Sequence, residues 1–84
     1  MLILSLPCFS QTAQEESLLQ LYNNARTDSV RASVLMQLGE VLSTQNRNKS
    51  IQYYEDAIEF ESDKTNIGII HYKIGFNNWQ LGNF

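Results

Sequence analysis

The 84 residues carry a net charge of -3, and their six Lys and Arg are scattered, so no basic stripe is available to neutralise phosphates and nucleic-acid binding is set aside. One Cys and one His supply neither an internal disulfide nor a metal ligand set, and no apolar stretch is long enough to span a bilayer. A hydrophobic content of 43% is too high for a disordered chain, yet the length allows one small domain at most, whose stability must come from helix packing or from neighbouring segments.

The first ten residues differ in character from the rest. Leu2, Ile3, Leu4 and Leu6 form an apolar run, followed by Pro7 and by small residues at Cys8 and Ser10 spaced as a cleavage site. This predicts the end of a secretory signal peptide over 1–10, cleaved after Ser10, although the basic start of such a leader is missing. Export to the periplasm follows from that reading, and a cytoplasmic location follows if the run is merely an apolar arm.

Residues 11–27 form an N-terminal helix and linker. Thr12-Ala13-Gln14-Glu15 matches a capping box, and Leu18, Leu21, Tyr22 and Ala25 recur at helical spacing, which predicts a helix from about Ala13 to Ala25. Thr27-Asp28-Ser29 offers side-chain oxygens to cap a second helix, whose apolar arc comprises Val30, Val34, Leu38 and Val41, flanked by Leu35 and Leu42. Gly39 lies inside that helix, where glycine is unfavourable, so a second helix backbone is expected to come close there.

A polar turn over Ser43 to Lys49, with Asn48 as the expected cap, leads into a third helix. Ile51, Tyr53, Tyr54, Ala57, Ile58 and Phe60 share one half of its wheel; Gln52, Glu55, Asp56 and Glu59 share the other. The acidic half reads as a solvated face rather than as paired catalytic carboxylates. After a polar connection over Glu61 to Asn66, a last helix carries two apolar arcs, Ile67, Ile70, Ile74 and Leu81 on one side and Ile69, Tyr72, Phe76 and Trp79 on the other. Two apolar faces call for two partners.

The second and fourth helices superpose with Leu38-Gly39 on Ile74-Gly75, an offset of 36 residues. That is close to the period of about 34 found in tetratricopeptide repeats. The chain resembles that family over Val34 to Phe84. Leu38-Gly39 and Ile74-Gly75 look like its Leu-Gly pair, and Ser50 to Glu59 looks like its second helix, with Tyr54 and Ala57 at the packing positions. Tyr72 to Gly75 and Leu81-Gly82 look like the first helix and turn of a further repeat. Ser50 departs from the usual small Ala, His71 stands where a large aromatic is common, and Asn78 replaces an aromatic.

The resemblance implies an all-α array of antiparallel helix-turn-helix repeats over 28–84. One repeat is complete, 28–61, and one is partial, 66–84, with its second helix missing from the chain. It also implies a concave ligand face formed by Ile69, Tyr72, Phe76 and Trp79, with Met36 and Glu40 one repeat earlier. The same aromatic arc is equally readable as core awaiting another helix. The order of leader, Leu-rich helix and repeats is similar to the exported sensor region of bacterial tetratricopeptide-containing sensor histidine kinases. The resemblance therefore implies a non-catalytic scaffold, without cofactor or metal, that binds a protein or peptide or self-associates by repeat stacking. Membrane contact would arise only through parts of a longer chain. A freestanding exported adaptor or assembly factor is the alternative. A small helical enzyme is the remaining one, and no nucleophile elbow or oxyanion-supporting turn points to it.

Overall fold

The computed structural model describes residues 13–82, so the expected cleavage after Ser10 and the Thr12 cap lie outside the described residues. Four α-helices follow in order: α1 (Ala13–Asn23), α2 (Asp28–Leu42), α3 (Arg47–Phe60) and α4 (Lys64–Leu81). Each packs on the next in sequence, and α2 and α3 form the most extensive contact. Leu18, Val34, Leu35, Leu38, Tyr54, Ala57 and Ile70 meet in a single core, to which all four helices contribute.

Side chains also join the helices two apart. Tyr53 Oη on α3 donates to Glu15 Oε2 on α1 at 2.8 Å, and the Tyr22 ring meets the Phe60 ring edge-on at 6.3 Å. Lys73 on α4 reaches Glu40 on α2 at 3.2 Å. These side chains bridge alternate helices across a compact four-helix bundle in which each helix packs mainly on its sequence neighbours.

The caps explain where the helices begin. Thr27 Oγ1 accepts from Val30 N at 3.2 Å at the start of α2, as the sequence predicts. Asn46, rather than the expected Asn48, caps α3 by accepting from Lys49 N at 3.1 Å. Asp63 caps α4 through Thr65 N at 2.8 Å and Asn66 N at 3.2 Å, so the last connection is shorter than its polar residues suggest. A first helical turn outside the core can be polar, and Lys64-Thr65-Asn66 is such a turn. α1 ends at Asn23 rather than Ala25; the Ala25 N–H turns to the Tyr22 carbonyl at 3.1 Å, three residues back, and the Ala25 carbonyl accepts from the Arg31 guanidinium at 3.2 Å. Arg31 also pairs with Asp28 at 2.8 Å and lies 5.9 Å from the Phe60 ring centre, which pins the first connection to the end of α3.

Two expected core positions fall outside. Val30 is exposed in the first turn of α2, where Ala32 is buried instead. Leu21 is exposed on α1, whose inward face is Glu15, Leu18, Leu19 and Tyr22. That is a regular i, i+3, i+4, i+7 stripe with an acid at its head.

Gly39 is the close approach, with a difference from expectation. A Cβ added there would lie 2.5 Å from the Tyr54 ring, so an aromatic side chain from α3, rather than a second backbone, fills the space. Gly82 ends α4 in the left-handed conformation at φ 80, its N–H bonded to the Asn78 and Trp79 carbonyls, which glycine adopts without strain.

Candidate functional site

Of the residues expected at repeat-packing positions, Leu38, Gly39, Tyr54 and Ala57 are buried between α2 and α3. Ile74 is half-buried against the core. Gly75, Leu81 and Gly82 lie exposed, and nothing comes within 4 Å of a Cβ built on Gly75. α2 is thus closed around Gly39 by α3, while α4 offers Gly75 to solvent.

The candidate concave residues divide similarly. Tyr72, Phe76 and Glu40 border a groove of about 290 Å³ between α2 and α4, with Ser43, Tyr54, Lys73 and Asn77 completing its lining. Trp79 lies beside Phe76 with ring centres 6.2 Å apart, and Ile69 continues the arc one turn toward the start of α4. Met36 does not border the groove and is half-buried against the core. Tyr72 is 75% exposed, Trp79 59%, Phe76 48% and Ile69 43%. At roughly 100° per residue, Trp79 points about 180° away from the buried Ile70 on the same helix.

The electrostatics of the groove are modest. Glu40 and Lys73 bridge its rim, leaving one carboxylate neutralised by one ammonium. Tyr54 is 2% exposed, and its phenol is pushed up from 10.0 to about 12 by burial and by the neighbouring Glu40 carboxylate, with the Ser50 hydroxyl opposing. Tyr53 is raised further, by burial and by its hydrogen bond to Glu15. Both phenols remain protonated at neutral pH; Tyr53 donates to Glu15, and Tyr54 serves as packing surface.

Beneath the groove runs a polar chain that the sequence did not disclose. Arg47 donates to Asn77 Oδ1 at 3.2 Å, Asn77 Nδ2 donates to Ser50 Oγ at 3.0 Å, and Ser50 donates to the Gly39 carbonyl at 2.5 Å. Ser50 and Asn77 are buried, and the chain crosses α2, α3 and α4. Ser50, read as a departure from a small Ala, is its hinge. The hidden Glu15, held by Lys49 at 2.9 Å and by Tyr53, is the second buried polar centre. Only its place in the i, i+3, i+4 stripe of α1 could have signalled it.

Among the described residues there is no group of three or more His, Cys, Asp or Glu placed to hold a metal, and no helix is long and apolar enough to cross a membrane. Glu55 and Glu59 are exposed on the outer side of α3. No family model, curated protein or solved structure matches the chain.

Proposed function

We propose that this chain is a non-catalytic helical-repeat scaffold that binds another polypeptide along α4 and the α2/α4 groove. The observation that carries the proposal is the outward apolar face of α4, where Ile69, Tyr72, Phe76 and Trp79 stand in solvent beside an apolar-floored groove. Contiguous exposed aromatics of this kind mark interaction surfaces on soluble domains. The groove rim offers one ion pair and no excess charge, so recognition is by apolar burial, suited to an extended or helical segment with large side chains.

A tetratricopeptide-type architecture is part of the proposal. Its support is the Leu38-Gly39 pair closed by Tyr54 and Ala57, the packing of each helix on the next, and the side-chain bridges between alternate helices. By the similarity in chain order, such a scaffold serves as the exported input region of a bacterial sensor. Reading the gene beyond this segment tests that placement, through the presence or absence of a membrane helix and an ATP-binding kinase core.

The binding reading is tested by selecting displayed random peptides on the purified chain and measuring affinity through Trp79 emission. Enriched peptides should share bulky apolar anchors, and Phe76→Ser should weaken them at least tenfold without moving the melting temperature. Absence of enrichment, or binding indifferent to Phe76→Ser, overturns it.

A further inference from the structure

The exposed face of α4 alternates bulk and space in a particular way. Gly68, Tyr72, Gly75 and Trp79 follow one another at steps of four, three and four, and so lie on one stripe. Nothing lies within 4 Å of a Cβ built on Gly68 or Gly75, so neither glycine is explained by packing inside the molecule. Glycine disfavours helix, which makes two of them on one outward stripe a cost without an internal return.

We infer that a second copy of this chain covers this face, with the two α4 helices crossing antiparallel about a two-fold axis. Centred on the peptide between Lys73 and Ile74, such a pairing sets Tyr72 of each copy over Gly75 of the other, and Trp79 of each over Gly68 of the other. Tyr72 and Trp79 then each meet a gap, twice, as an isologous interface requires, while Phe76 falls opposite His71 of the other copy. This rests on α4 being the interaction surface and names its occupant.

The helix ends and the exposed area agree with a second copy. Helix α4 contains Lys64, His71 and Lys73 and no acidic residue, and Lys73 is already paired with Glu40. Antiparallel crossing carries Lys64 of each copy to the carbonyl end of the other helix, where a cation is favourable, and opposes the two helix dipoles. With aromatic side chains of about 150–250 Å² each, the four exposed residues present roughly 500 Å² per copy. Both copies together reach about 1,000 Å², the lower bound for a specific interface and appropriate to a weak, concentration-dependent dimer.

The test is sedimentation equilibrium of the full chain from about 1 to 500 µM under reducing conditions, so that Cys8 forms no cross-link, with Trp79 emission followed in parallel. The expected result is a monomer–dimer equilibrium with a midpoint on the order of 10–100 µM, accompanied by a blue shift of Trp79 as it leaves water. Gly75→Leu and Tyr72→Ala should each weaken dimerisation at least tenfold, while the dilute monomer melts as before in Tyr72→Ala and slightly higher in Gly75→Leu, where a better helix former replaces glycine. The pair together should recover to within about threefold of the parent, because the side chain added at position 75 then meets the space vacated at position 72. A monomer at every concentration, mass growing beyond the dimer, or a double variant no better than the singles overturns the inference. If the chain stays monomeric while selected peptides still bind the Phe76 face, self-association alone falls. If Phe76→Ser also leaves peptide binding unchanged, the interaction surface falls with it.

Discussion

Gly39 and Gly75 hold equivalent places in two segments 36 residues apart, and their surroundings are opposite. At Gly39 the Tyr54 ring would lie 2.5 Å from any added Cβ, and the Ser50 hydroxyl is bonded to the glycine carbonyl. At Gly75 the space is empty, and the neighbouring Tyr72, Phe76 and Trp79 are exposed. The same Leu-Gly or Ile-Gly signature therefore marks a filled contact in α2 and an open one in α4. A glycine signature specifies that something can approach closely; the rest of the chain determines whether anything does.

The contrast can be broken by substitution. The largest effect is expected at the closed glycine: Gly39→Ala should destabilise the fold by about 2 kcal/mol, since the methyl group must displace the Tyr54 ring in a packed interior. Urea unfolding followed by circular dichroism measures it, and an unchanged midpoint would mean that the contact is loose.

A smaller effect, over the range up to pH 11, comes from the ring itself. Below its ordinary value of 10.0 the Tyr54 phenol is protonated in both folded and unfolded chains, so it adds no pH dependence. Between 10.0 and about 12 the unfolded chain releases the proton while the folded chain holds it, and stability falls by roughly 1.4 kcal/mol per pH unit. Tyr53, also raised, acts in the same direction. Unfolding at pH 8, 10 and 11 should show this decline, and Tyr54→Phe should remove the share that belongs to Tyr54.

The smallest effect has the opposite sign. Gly75→Ala should stabilise the dilute monomer by about 0.5–1 kcal/mol through helix propensity alone, because no neighbour resists the added methyl group. Loss of stability there would show that the two glycines are more alike than their surroundings indicate.

Apolar periodicity made the helices and most of the core legible. Leu38, Tyr54, Ala57 and Ile70 fall at the spacing their burial requires. What remained hidden was polar. Glu15 occupies a core-facing position on α1 and is buried because Lys49 and Tyr53 hold its carboxylate, a partnership 34 and 38 residues away that no local pattern reports. Asn77 looks like any polar helix residue until Ser50 and Arg47 are brought beside it. Asn46 and Asn48 are chemically identical cap candidates, and the choice between them depends on where the α3 ladder starts. Val30 fits the apolar arc of α2 by angle, but it lies exposed in the first turn of the helix.

The buried chain from Arg47 through Asn77 and Ser50 to the Gly39 carbonyl also has a consequence for the other side of α4. Sliding that helix by one turn, about 5.4 Å, would carry the Asn77 amide away from Ser50 and Arg47 and break both of its side-chain hydrogen bonds. Asn77 thus works as a register key, and the aromatic rings on the far side of the same helix inherit its setting. Tyr72, Phe76 and Trp79 are presented to solvent at fixed heights before any partner arrives, so little backbone freedom is left for binding to remove.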